Sequence, residues 1–137
     1  MKPQAAARPK EPLPEETNRV SGQIVDAAYA VHSNLGPGLL ENVYEQCLAH
    51  ELTKRGLRLQ RQLALPVIYD EIRLDAGLRI DMLVEDSVVV EIKAVEGVIP
   101  VHKAQVLTYL KLSDRRLGLL INFNVVRIKD GIQRIIL

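Results

Sequence analysis

Leu78-Arg79-Ile80-Asp81-Met82-Leu83-Val84, then Glu85-Asp86-Ser87, then Val88-Val89-Val90-Glu91-Ile92-Lys93 is the stretch on which the fold turns. Two apolar runs around a short polar break predict an antiparallel hairpin. With residues 85–87 as the turn, Val84 pairs with Val88 and Asp81 falls opposite Glu91. Directly opposed side chains stand about 4.5–5.5 Å apart at Cβ. Side chains alternate faces along a strand, so Val89, Glu91 and Lys93 share one face and Val88, Val90 and Ile92 the other. Two carboxylates and an amine then converge on one patch of a mostly apolar sheet.

Two ionised carboxylates at that separation repel, and apolar neighbours disfavour both. A hard divalent cation removes the repulsion. Mg²⁺ is held by one or two carboxylates, with water and phosphate oxygens completing its shell. It acidifies bound water and stabilises charge on a reacting phosphoryl group, and a nearby lysine can orient that water or hold the phosphate. The same spacing also fits a hairpin whose charged face meets solvent and forms surface pairs. Spacing alone leaves both readings open.

The length of 137 residues suits one domain, and 47% hydrophobic with 26% charged residues suits a globular chain with a real core. No apolar run reaches membrane-spanning length and no signal-peptide pattern occurs, so a cytoplasmic protein is expected. The single cysteine, Cys47, excludes an internal disulfide, lies on a helical apolar stripe and reads as a buried thiol. Zinc spacing, a glycine-rich phosphate loop and a dinucleotide fingerprint are all missing. Net charge is only +1, but it is unevenly spread. Residues 70–96 carry eight acids against three bases, and residues 102–137 seven Lys or Arg against two acids. Lys54, Arg55, Arg58 and Arg61 add a second basic cluster. An acidic centre with basic flanks suits a metal site beside a polyanion groove, and it also suits ordinary surface scatter.

Residues 1–16 hold four of the seven prolines and no apolar period, which predicts a disordered tail before one domain at 17–137. A helix is expected from an N-cap at Thr17 or Asn18, with Val20, Ile24, Ala27, Ala28, Val31 and Leu35 on its apolar stripe and His32 partly exposed beside it. Gly36-Pro37-Gly38 ends it. A second helix runs from about Leu39 to Arg55, its packed side marked by Leu40, Tyr44, Cys47, Leu48 and Leu52. Glu41 leans over the Tyr44 face, either as a further site carboxylate or as a first-turn acid suited to the helix dipole. Residues 58–69 read as a strand with an edge or bulge at Pro66. Asp70-Glu71 is a turn, 72–74 a short return strand and Asp75-Ala76-Gly77 another turn. Pro100 opens a helix to about Leu112 that is apolar nearly all round and so expected to be covered on more than one side. Gln105 and Tyr109 stand one turn apart on it, as rim residues or as contacts to the site. Residues 116–122 form an interior strand, and 125–129 with 132–136 a last hairpin around Asp130-Gly131.

Gly38-Leu39-Leu40-Glu41-Asn42-Val43-Tyr44 resembles the motif of the GxxExxY protein family. Asp81 followed by Glu91-Ile92-Lys93 is similar to the Asp…Glu-x-Lys signature of the PD-(D/E)XK nuclease superfamily, to which that family belongs. Gln105 through Tyr109 resembles the Gln-x-x-x-Tyr element on the following helix in one of its branches. Ile80, rather than proline, precedes Asp81. The resemblance runs from about residue 18 to the C-terminus. It implies an α/β (α+β) fold, with a central mixed sheet flanked by helices in a restriction-endonuclease-like core. It implies Mg²⁺, with Mn²⁺ able to substitute, held by Asp81 and Glu91 with Glu41 as a further acid. Lys93 then positions or activates water, and Gln105 and Tyr109 complete the site.

The expected function is metal-dependent hydrolysis of nucleic acid, with DNA favoured over RNA. The alternatives are a nucleic-acid-binding or regulatory module that keeps the fold without useful catalysis, and a non-nucleic-acid hydrolase or plain structural subunit. Exposed strand edges also suit a homodimer or a protein partner.

Overall fold

The computed structural model describes residues 11–137. Helices α1 (Glu15–Leu35) and α2 (Glu41–Lys54) come first. Strands β1 (Leu59–Tyr69), β2 (Ile72–Val84) and β3 (Val88–Lys93) follow as a meander. Helix α3 (Pro100–Ser113) then crosses to β4 (Leu117–Asn122), and a 3-10 turn (Ile128–Gly131) leads into β5 (Ile132–Ile136). The sheet has five strands in chain order, all antiparallel except the β3–β4 pair. A parallel pair needs a crossover of about a dozen residues, and α3 supplies it. The expected mixed α+β sheet flanked by helices is therefore present.

Alternation along the strands sorts the core into two layers. Met82, Val84, Val88, Val90, Ile92, Leu117, Leu119 and Ile121 face α1 and α2, where Val20, Ile24, Ala27, Ala28, Val31, Leu48 and Leu52 meet them. Leu83, Val89 and Leu120 face α3, with Val106, Tyr109 and Leu110. Gly118 sets how closely α3 approaches. A Cβ there would lie 2.6 Å from Val106 Cγ1, so only glycine lets the helix seat on β4.

Several expectations need correction. Residues 1–10 of the expected tail lie outside the described residues. The rest of it is engaged: Leu13 packs on the core, and Arg116 donates to the Glu11 and Pro12 carbonyls. α1 begins at Glu15, because Pro14 rather than Thr17 or Asn18 precedes its first turn. Leu40 sits at the N-cap of α2 and is exposed, so it does not belong to that helix's packed side. Leu35 is likewise partly exposed at the end of α1. His32 is buried and Cys47 half-buried, the reverse of their expected order.

Asp75-Ala76-Gly77 is not a turn. β2 runs unbroken through it, and the register against β1 shifts between Leu65↔Leu78 and Val67↔Leu74. The positive φ of Gly77 serves a bulge opposite Pro66 instead of a chain reversal. Residues 125–129 form no strand, and β5 pairs with β4. A Cβ on Gly131 would stand 2.0 Å from the Asn122 carbonyl oxygen, so this glycine permits a tight return onto β4 and not a hairpin tip. α3 lacks a second cover, since Ile99, Val101 and Leu112 at its flanks remain exposed.

Candidate active site

β2 and β3 pair only over Met82↔Val90, Leu83↔Val89 and Val84↔Val88. One residue further, where Asp81 comes opposite Glu91, side chains replace the backbone ladder. Asp81 Oδ2 accepts the Ile92 N–H at 2.8 Å, and Glu91 Oε1 accepts the Asp81 N–H at 3.2 Å. Each carboxylate thus satisfies a peptide group that the spreading strands would otherwise leave unpaired in the interior. Each keeps a second oxygen. Asp81 Oδ1 is 3.4 Å from Gln62 Nε2, and Glu91 Oε2 is 3.8 Å from Lys93 Nζ.

The site is dry. Glu91 is 4% exposed. Burial first, and the neighbouring Asp81 charge second, push the Glu91 carboxyl up to about 8, while burial also raises Asp81 against the pull of the Ile92 N–H. Both shifts favour the protonated form, so the pair holds a proton more readily than exposed carboxylates do.

Tyr109 reaches this pair from α3. Burial, then the charges of Glu91 and Asp81, hold its phenol above the ordinary value, while its hydrogen bond with Gln105 works the other way. Asp81, Glu91 and Lys93 thus lie together, Tyr109 stands close enough to feel both acids, and Gln105 neighbours Tyr109. Glu41 stands apart from that hydrogen-bonded group. It lines, from α2, a cleft of about 350 Å³ whose other walls are Asn42, Glu45, Arg61, Gln62, Asp81 and Ile92.

The sequence reading missed two residues. Glu45, one turn after Glu41, is buried and accepts from Arg61 and from Gln62. Its place four residues from Glu41 on one helix face was the available signal. Asn122 is buried opposite Lys93. Its side chain bonds both the N–H and the carbonyl of Val95, and the Phe123 N–H donates to the Lys93 carbonyl. These bonds fix the exit of β3 and hence the lysine. Nothing local in the sequence signals this, because the partners are 27 residues apart. Tyr44, by contrast, has a structural role. Its hydroxyl donates to the Gly36 carbonyl and accepts from the Leu39 N–H, and its ring stacks on Phe123 at 4.6 Å. The glycine-rich turn that presents Glu41 is pinned in this way.

The basic cluster at residues 54–61 is occupied, as are two arginines of the C-terminal flank. Arg58 pairs with Glu85, Arg61 with Glu45, Arg115 with Asp86 and Arg127 with Asp130, while Lys54 and Arg55 meet Glu51. Among the described residues, no three His, Cys, Asp or Glu side chains gather as a metal cage. The Asp81–Glu91 pair nevertheless fits a hard cation. Its donors are all oxygen, two carboxylates suffice for Mg²⁺, and a cation would offset the Asp81 charge that helps raise Glu91. Among the described residues, no helix is long and apolar enough to cross a membrane.

A family model described as the PD-(D/E)XK nuclease superfamily matches residues 18–135. Searches of the curated proteins and of the solved structures return no match.

Proposed function

The chain belongs to the PD-(D/E)XK nuclease superfamily, and from that premise we propose that it is a Mg²⁺-dependent nuclease that cleaves phosphodiester bonds of DNA in the cytoplasm. The observation that carries this reading is the pairing of the buried Glu91 with the half-buried Asp81, with Lys93 beside them, since holding two acids together out of bulk water is costly without a task for them. The Gly38-to-Tyr44 motif supports a place among the GxxExxY proteins. The exposed edge of β1 supports a homodimer.

Asp81 and Glu91 hold the ion, with Glu41 as a further acid at the cleft. When bound, Mg²⁺ or Mn²⁺ supplies an acidified water and charge stabilisation at the phosphoryl group. Lys93 Nζ, kept beside Glu91, would orient the attacking water and hold the phosphate oxygen. The raised Tyr109 phenol stays an O–H donor at neutral pH and steadies the phosphate or the water, with Gln105 holding the phenol in place.

The test is cleavage of plasmid and single-stranded DNA with and without Mg²⁺, for the wild type, Asp81→Ala and Lys93→Ala. Divalent-dependent nicking that both variants lose is expected. Activity that survives both substitutions would overturn these roles. A wild type that binds DNA with a steep salt dependence yet never cuts it would point instead to the regulatory module.

A further inference from the structure

The cleft that leads to Asp81 is lined by three carboxylates, Glu41, Glu45 and Asp81, and by a single cation, Arg61. A phosphodiester entering it needs positive charge on the wall as well as at the Asp81–Glu91 pair. Arg61 is built for that task. Its Nε and Nη2 both donate to one oxygen of the buried Glu45, at 3.2 and 2.8 Å, and Gln62 Nε2 takes the other oxygen at 2.6 Å. Arg61 Nη1 makes no hydrogen bond among the described residues, and the side chain is 39% exposed.

The backbone is bent to achieve this. Consecutive residues of a regular strand send their side chains to opposite faces, yet Arg61 and Gln62 both reach Glu45. Gln62 has a φ of +52°, a left-handed conformation that a non-glycine residue adopts at a cost. The β1–β2 register runs from Arg61↔Met82 to Leu63↔Ile80 around it, so this break lies directly across from Asp81. Simple neutralisation of Glu45 needs only one of the two partners.

We propose that Arg61 is a substrate-binding residue that grips a backbone phosphate of nucleic acid lying in this cleft, and that Glu45 is the positioning residue that presets its guanidinium. The planar guanidinium suits a phosphate better than an ammonium would. The proposal rests on the nuclease reading for its substrate, but it is measured by binding alone.

The experiment is fluorescence anisotropy of a labelled DNA oligonucleotide on the full chain in Ca²⁺, alongside cleavage assays in Mg²⁺. Arg61→Ala is expected to weaken binding about 10- to 100-fold, to make the log–log salt slope shallower by about one, and to raise KM more than it lowers kcat. Arg61→Lys recovers part of the loss. If Arg61→Ala does not fold with Glu45 left unpaired, the neutral double variant Glu45→Gln/Arg61→Gln carries the same expectation. Unchanged affinity and salt slope in a folded variant would overturn the proposal, as would a wild type that binds no DNA. If the wild type binds DNA through Arg61 but never cuts it, the nuclease reading fails and this one stands.

Discussion

β2 and β3 behave as two different structures at their two ends. From Val84↔Val88 to Met82↔Val90 the peptide groups pair, and the side chains fill the core. From Asp81 and Glu91 onward the strands part, and carboxylates do the pairing. At the first end side chains are interchangeable apolar volume. At the second they are aimed, because each acid is tethered by a peptide N–H of the other strand. A site forms where the regular ladder stops.

The sharpest way to break this contrast is at Asp81. Asp81→Asn keeps an acceptor for the Ile92 N–H but loses the charge, so cleavage should fall by roughly 10²–10⁴-fold with little change in melting. Asp81→Ala loses the acceptor too and should cost a further 1–3 kcal/mol or so in urea unfolding. Equal melting for the two variants would show that the tether contributes nothing. The mirror experiment is Val90→Ala at the paired end. It removes two buried methyl groups and should destabilise by roughly 2 kcal/mol, while kcat measured well below the melting temperature stays near the wild-type value.

Acidity separates the ends next. The Glu91 carboxyl is raised to about 8 from an ordinary 4.5. The folded chain therefore binds a proton more tightly than the unfolded chain. This contribution is fully present below pH 4.5, declines as pH rises, and is lost by about pH 8. Melting temperature should fall across that window, and Glu91→Gln should flatten the fall. Mg²⁺ should raise the melting temperature more at pH 8 than at pH 5, since it competes with the proton. The smallest effect is expected far from both ends. The exposed Arg73–Asp75 pair at the bulge should be worth less than about 0.5 kcal/mol when Arg73 is replaced by alanine.

The hairpin register was legible in the sequence because Val-rich runs around a three-residue turn admit one pairing that keeps apolar residues on the core face. With the register came the meeting of Asp81 and Glu91. The stripe on α1 and the interior character of β4 were legible for the same reason, since periodicity reports burial. What misled was punctuation. Gly77 and Gly131 both looked like turn glycines, yet one serves a bulge and the other a close backbone approach to Asn122. A glycine announces unusual geometry without saying which kind. The meeting of Glu45 with Arg61 and Gln62 escaped because it depends on a single left-handed residue inside a strand, which no residue pattern encodes, although the spacing of Glu45 from Glu41 was a signal.

The bonds between β3 and β4 bear on the order in which this molecule can become competent. Every side chain given a chemical role precedes Leu110, yet Lys93 is secured by Asn122 and Phe123, and β4 docks only after α3 has crossed the sheet. A nascent chain halted at the end of α3 would carry the full complement of reactive groups with none of them set. Activity should therefore emerge late in synthesis, with the closing of a long-range parallel pairing that is intrinsically slow to form.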